Sequence, residues 1–135
     1  MLATNTVLVE DNYPLTSLMN EPIILKAHDK ITVLYFFAPW CQICHVSIGN
    51  LQALYEKNQH IDVIAVALDY MNTDEIKDFS LQHQLTFPIA LGTEQVKKSF
   101  KINAYPSYYI INAQNTVIAR SQGYSSEFGL YLRTL

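Results

Sequence analysis

Two kinds of hydrophobic pattern alternate along the first half of this chain. Residues 31–38 and 61–68 form almost unbroken apolar runs rich in β-branched and aromatic side chains, which is typical of strands covered on both faces. Residues 41–58 and about 72–82 instead predict helices, because their apolar positions recur every three or four residues. The resulting βαβα order favours parallel strands joined by right-handed crossovers.

The second half of the chain predicts a different arrangement. After a short helix at 93–100, two apolar segments at 107–112 and 117–120 are separated by the short polar segment 113–116. So short a connection predicts an antiparallel hairpin. A closing helix follows, with its capping and apolar positions at Ser125, Ser126, Glu127, Phe128, Leu130, Tyr131 and Leu135.

The composition favours one compact domain. Half of the 135 residues are hydrophobic, there are only five prolines and four glycines, and no linker or repeat is present. We therefore treat 1–135 as a single α/β domain and expect a monomer, with 1–30 as an N-terminal extension and 31–135 as the core. Within the extension, 6–9 predicts an edge strand and 14–20 a helical turn.

Charge and hydropathy exclude two classes of partner for the chain as given. The formal net charge is −3 and the basic residues are scattered, which disfavours binding to a nucleic-acid backbone. No apolar stretch approaches the ~20 residues of a membrane helix, and the first residues lack the pattern of a signal peptide. Contact with a membrane would therefore require an N-terminal anchor absent from this sequence.

The chain contains only two cysteines, Cys41 and Cys44, and they directly follow the first predicted buried strand. A disulfide between them would close a loop of a few residues and would remove little entropy from the unfolded chain. Structural zinc sites normally take four ligands, and no second cysteine pair exists here. The spacing therefore indicates reversible redox chemistry rather than a structural bridge.

The predicted helix assigns different roles to the two sulfur atoms. Residues three apart on a helix have Cβ atoms roughly 5–6 Å apart, a gap that small adjustments close to disulfide distance. Cys41 would open the helix, where free N–H groups and the helix dipole favour a thiolate, so we expect it to be the nucleophile. Cys44 continues the apolar stripe of Ile48, Leu51 and Tyr55 and is predicted to be the buried resolving thiol.

Residues 36–44, the order of the predicted elements and the Ala-Tyr-Pro-Ser stretch around Pro106 resemble the thioredoxin superfamily. The resemblance covers about 31–135, and within the superfamily it is strongest to TlpA/ResA-type proteins. The tail at 123–130 is most similar to membrane-tethered bacterial disulfide oxidoreductases of the suppressor-of-copper-sensitivity D kind. The resemblance implies a three-layer α/β/α sandwich whose mixed sheet combines parallel strands with a C-terminal antiparallel hairpin.

The resemblance also implies a docking surface for protein substrates. Cys41 and Cys44 match the attacking and resolving thiols of the superfamily, and Trp40 matches the aromatic residue beside them. Tyr105 and Pro106 match the pair whose cis peptide bond faces the dithiol, where an incoming polypeptide pairs with the backbone. We include Gln42 and Ile43, which lie between the cysteines, in the predicted substrate-binding set.

Four residues near the motif depart from the family pattern or extend it. Tyr35 stands where thioredoxins carry a buried acid, and Ser47 stands where many ResA-like proteins carry a carboxylate. Asp69, at the end of the second buried strand, is a candidate base near the dithiol or simply the start of a turn. His45 follows Cys44 and, if cationic, would lower the pKa values of nearby thiols; it could equally be a solvated helix residue.

Two alternatives use the same residues. Cys41, Cys44 and His45 satisfy the C-x-x-C-H signature of c-type haem attachment, with Met19 or Met71 as a second axial ligand. The context disfavours haem, because the motif lies between a buried strand and a crossover helix. A copper(I) chaperone or buffer would use Cys41, Cys44 and His45 as ligands, with Met71 as an outside candidate.

Thiol–disulfide exchange with protein partners is the function that these expectations favour. It needs no diffusible cofactor and no metal, because the redox group is the dithiol itself. The partners would be protein thiols and disulfides and a redox partner protein that the sequence does not identify. The similarity of the tail implies a periplasmic or other extracytoplasmic location, with a membrane tether in the full-length protein.

Overall fold

A computed structural model describes residues 1–8, 14–125 and 127–135. The described strands are β1 (Pro14–Ser17), β2 (Pro22–Ile24), β3 (Ile31–Phe37), β4 (Ile61–Ala67), β5 (Ile89–Leu91), β6 (Ser107–Ile111) and β7 (Val117–Gln122). The described helices are α1 (Gln42–Lys57), α2 (Thr73–Gln82), α3 (Glu94–Ser99) and α4 (Glu127–Arg133).

The described strands form one mixed sheet in the order β2-β1-β5-β4-β3-β6-β7. Strands β3, β4 and β5 are parallel, and β6 runs antiparallel to β3. Their register places the carboxyl ends of the three parallel strands beside the start of β6, because Phe36 pairs with Ser107 and Phe37 pairs with Ala67. This edge is where open α/β sheets usually place their functional groups.

Helices cover both faces of this sheet, which confirms the predicted α/β/α layers. Alternate residues of β3 point to opposite faces, as the pleat of a strand requires. Tyr35 belongs to the core beneath α1, α2 and α4, whereas Phe36 belongs to the core that packs against α3. Helix α1 fills the first core with Ile48, Leu51 and Leu54, all wholly buried.

The helical turn predicted at 14–20 is wrong, because this segment begins with strand β1. Leu15 and Ser17 are buried while Pro14 and Thr16 are exposed, which is the alternation of a strand. Strand β1 pairs with β2 and also with β5, so the segment that we separated as an N-terminal extension contributes two strands to the sheet. The short strands β1, β2 and β5 hold too few residues for the hydrophobic pattern to indicate them.

Other boundaries agree with the predictions where the structure describes them. Asn72 caps α2, and the reciprocal bonds with Glu75 form a capping box. In the predicted edge strand at 6–9, Val7 makes an isolated antiparallel bridge with Thr116, while Val9 lies outside the described residues. The predicted cap at Ser126 and the side chain of Phe128 also lie outside them.

Gly92 provides a test of how tightly the strand ends pack beside the site. A Cβ atom at Gly92 would lie 2.5 Å from the carbonyl oxygen of Ala67 and 2.5 Å from a methyl group of Leu68. We expect Gly92→Ala to lower the free energy of unfolding by about 1–3 kcal/mol, measured by urea denaturation. Gly49→Ala is the control, since a Cβ there meets open space in α1 and should stabilise by about 0.5–1 kcal/mol. Equal effects of the two substitutions would contradict this packing.

Candidate active site

Cys41 is the N-cap residue of α1. Its backbone is extended, with φ −78° and ψ 116°, and the helix begins at the next residue. The backbone N–H of Cys44 donates to Cys41 Sγ at 3.2 Å, so the sulfur takes the place of the oxygen that usually caps a helix. The N–H of Cys44 therefore points at the sulfur that the sequence predicts to be the nucleophile.

The two sulfur atoms differ in access to solvent. Cys44 is wholly buried, whereas Cys41 keeps 7% of its surface exposed. The order agrees with the predicted roles, but Cys41 lies deeper than a fully open helix end would place it. Trp40 and Ile43, which precede Cys41 and Cys44 in the sequence, are 61% and 48% exposed.

Burial, followed by the hydrogen bond with Cys41, raises the pKa of the Cys44 thiol to about 12. Both cysteines are free thiols in this structure. Cys44 is therefore protonated at neutral pH, and any reaction in which it attacks a disulfide has to remove that proton.

Two buried hydroxyl groups, those of Tyr35 and Ser47, lie close to Cys44. Tyr35 is wholly buried, and its hydroxyl lies 3.4 Å from Ser47 Oγ and 3.5 Å from the carbonyl oxygen of Cys44. Ser47 is buried as well, one turn after Cys44. Burial raises the pKa of Tyr35 well above its usual value, so its phenol stays a hydrogen-bond donor.

Trp40 and Tyr105 connect the cysteine segment with the start of β6. The Tyr105–Pro106 peptide bond is cis, as the resemblance implies. The two aromatic rings meet edge to face with centroids 5.8 Å apart, and the Trp40 indole N–H donates to the carbonyl oxygen of Asp69 at 2.9 Å. Gln42 is exposed and Pro106 is buried, with the Pro106 carbonyl accepting from the N–H of Gly123.

The Asp69 carboxylate holds this edge together rather than lying free as a base. Its Oδ2 accepts from Lys97 Nζ at 2.7 Å and also from the hydroxyl of Tyr105. The bond from Lys97, followed by the one from Tyr105, lowers the pKa of Asp69. The backbone of Asp69 also bends, with φ 50°, which agrees with the alternative interpretation of Asp69 as the start of a turn.

His45 points away from the dithiol. Its Nε2 lies 2.8 Å from the carbonyl oxygen of Pro39, and its Nδ1 lies 2.8 Å from His83 Nε2. Both ring nitrogens therefore have protein partners, which removes support for His45 as an iron or copper ligand. Among the described residues, no group of three His, Cys, Asp or Glu side chains could hold a metal ion.

Sequence reasoning missed three residues near the motif. His83 caps the end of α2, Lys97 lies in α3, and Tyr108 lies in β6. Each reaches the site only through tertiary packing. Lys97, for example, is separated from its partner Asp69 by 28 positions in the sequence. No local motif marks such residues in a single sequence.

The sequence profile of the AhpC/TSA family matches residues 12–120, and the chain belongs to this family. The thiol-disulfide oxidoreductase ResA of Bacillus thuringiensis subsp. konkukian is 30% identical over 115 residues, which are 83% of this chain. The match spans 66% of that relative's length. The expected similarity to ResA-type proteins is thus confirmed, whereas the finer placement beside suppressor-of-copper-sensitivity D proteins stays a prediction.

Solved structures confirm the thioredoxin-like fold. StoA from Bacillus subtilis superposes with a TM-score of 0.80 at 22% identity, covering 91% of this chain and 96% of that one. A secreted Mycobacterium tuberculosis disulfide oxidoreductase homologous to Escherichia coli DsbE also gives 0.80, at 18% identity, covering 91% and 94%.

The ion pair of Asp69 and Lys97 predicts a pH-dependent contribution to stability. A carboxyl group whose pKa is lowered by folding stabilises the folded protein at pH values above its unfolded pKa of about 3.9. This stabilisation is lost as the pH falls through the folded pKa. We expect Asp69→Asn to lower the free energy of unfolding by about 0.5–1 kcal/mol at pH 7. The difference from the parent protein should shrink below about pH 4 in urea titrations. A difference that does not change with pH would contradict this assignment. Asparagine is the suitable replacement because it also tolerates the positive φ at this position.

Proposed function

We propose that this protein is a thiol–disulfide oxidoreductase that exchanges disulfides with protein partners through Cys41 and Cys44. The observation that carries the proposal is the pairing of a sulfur at the N-cap of α1 with a wholly buried sulfur one turn later. Relatives that share the fold support it, since ResA is named a thiol-disulfide oxidoreductase.

The proposed reaction has two steps. The Cys41 thiolate attacks one sulfur of a partner disulfide, a Cys41–partner bond forms, and the other partner sulfur leaves as a thiolate. Cys44 then loses its proton and attacks Cys41 Sγ, which forms the Cys41–Cys44 disulfide and releases the second partner sulfur. The partner gains two electrons and the dithiol loses two, and the reverse sequence oxidises a partner. No diffusible cofactor takes part.

The exposed residues around Cys41 form the proposed docking surface. Trp40, Gln42 and Ile43 are exposed beside Cys41, where apolar contact with an extended polypeptide would shield the exchanging sulfur atoms from water. Tyr105 packs against Trp40, and the backbone between Tyr105 and Pro106 is proposed to pair with the substrate. Proline has no N–H, so Pro106 itself donates no hydrogen bond to the partner.

We further propose an extracytoplasmic location and a monomeric domain. The location is supported by the Mycobacterium tuberculosis disulfide oxidoreductase with the same fold, which is secreted. Within the described residues, none of the helices has the length and hydropathy to cross a bilayer. A membrane tether in the full-length protein would fit the branch that the tail resembles.

Trapping experiments test the proposal. We expect Cys41→Ser to abolish the reduction of insulin by the reduced protein, because the attacking sulfur is lost. We expect Cys44→Ser to accumulate mixed disulfides with partner proteins, since the resolving step is lost; non-reducing gels and mass spectrometry would detect them.

The two cysteine variants also serve as each other's control. Full exchange activity of Cys41→Ser would contradict the assignment of the nucleophile. Stoichiometric copper(I) binding by the parent protein without any exchange activity would instead favour the copper-binding alternative.

A further inference from the structure

Tyr108 carries a buried hydroxyl that has no hydrogen-bond partner among the described residues. Its side chain is wholly buried. Leaving a buried hydroxyl unpaired costs roughly 1–3 kcal/mol, so a native protein that keeps one generally has a use for it. A phenylalanine would fill the same space without that cost.

The position of Tyr108 suggests what the hydroxyl is for. Tyr108 lies directly opposite Tyr35 in the β3–β6 ladder, and the two rings pack with centroids 5.1 Å apart. Both belong to the core layer that contains Cys44. The polar groups that act on the Tyr108 hydroxyl are those of Ser47, Cys44, Arg133 and Ser125.

The resolving step creates a charge in this layer. Cys44 has to become a thiolate while it is wholly buried, and a buried anion without hydrogen-bond donors is costly. The nearby acid and imidazole groups are committed elsewhere: Asp69 bonds Lys97 and Tyr105, and His45 bonds Pro39 and His83. Besides burial and Cys41, which raise the pKa of Cys44, the backbone of Ala38 and the hydroxyl of Tyr35 act on this thiol and lower its pKa. Cys44 in turn interacts with the phenols of Tyr105 and Tyr108, of which Tyr105 is already bonded to Asp69.

We propose that Tyr35 and Tyr108, with Ser47 between them, form a hydroxyl pocket that donates hydrogen bonds to Cys44 when it becomes a thiolate in the resolving step. The proposal rests on the exchange reaction proposed above. The two tyrosines donate hydrogen bonds and do not accept the proton. Burial raises the pKa of Tyr108 to about 12, so its phenol stays protonated at neutral pH.

The proton and electron balance of the step is complete without another reagent. The Cys41–partner bond breaks, the Cys41–Cys44 bond forms, and the partner sulfur leaves with the electron pair. The proton lost by Cys44 is taken up by the departing partner thiolate or by water, and the phenols keep their own protons. The unpaired hydroxyl of Tyr108 is then the group that gains a partner in the step.

A reaction with Ellman's reagent separates the two sulfur atoms. The reduced protein releases one thionitrobenzoate when Cys41 attacks the reagent and a second when Cys44 resolves the mixed disulfide. We expect Tyr108→Phe to slow the second phase about tenfold or more in stopped-flow absorbance, as for loss of a hydrogen bond to a charged group. The first phase should keep its rate. The second phase should also require a higher pH to reach half of its maximal rate.

Tyr109→Phe is the matched control. Tyr109 is the next residue, is also wholly buried, and faces the opposite core, where its hydroxyl donates to the carbonyl oxygen of Phe100 at 2.7 Å. We expect Tyr109→Phe to lower the unfolding midpoint in urea and to leave the second phase unchanged. We expect Tyr108→Phe to show the opposite pattern, with an equal or higher midpoint and a slower second phase.

Three outcomes would overturn the hydroxyl pocket. In the first, the rate of the second phase is unchanged in both Tyr108→Phe and Tyr35→Phe. In the second, Tyr109→Phe slows this phase as much as Tyr108→Phe does. In the third, Tyr108→Phe slows this phase without changing its pH profile. If Tyr35→Phe does not fold, Tyr108→Phe alone decides between these results. Absence of the first phase in the parent protein would instead count against the exchange function itself.

Discussion

The hydrogen bond from the Cys44 amide to Cys41 Sγ is the interaction on which the site depends. It exists because β3 ends at Phe37 and the chain turns into α1 with a cysteine, instead of a serine or asparagine, at the N-cap. One contact thus caps the helix, fixes the direction of the first sulfur and places the second sulfur one turn deeper. The same capping geometry that starts the helix also provides the setting for exchange chemistry.

The sheet converts this local arrangement into a site. Parallel strands bring the ends of β3, β4 and β5 to one edge. There Trp40 and Tyr105 both donate hydrogen bonds to Asp69. Lys97 joins from α3. These contacts join the strand ends to the segment that carries Cys41, which keeps only 7% of its surface exposed.

The parts of this structure that could be predicted are those encoded by neighbouring residues. The apolar runs of β3 and β4, the capping box at Asn72 and the spacing of Cys41 and Cys44 are local signals. Strand β1 escaped prediction because it is four residues long and is defined by its pairing with β2 and β5. The partners of Asp69 and His45, and the Tyr108 hydroxyl, depend on which segments the fold brings together. The depth of Cys41 likewise depends on how its neighbours pack.

The central claim is that Cys41 and Cys44 form a reversible two-electron couple within an unchanged fold. Equilibration of the protein in glutathione buffers of graded potential, followed by peptide mass mapping, tests it most directly. The account predicts one transition with a two-electron slope, a Cys41–Cys44 bond in the oxidised form, and the same far-ultraviolet circular dichroism on both sides. Oxidation that yields only glutathione adducts, or that requires unfolding before the sulfur atoms join, would contradict it.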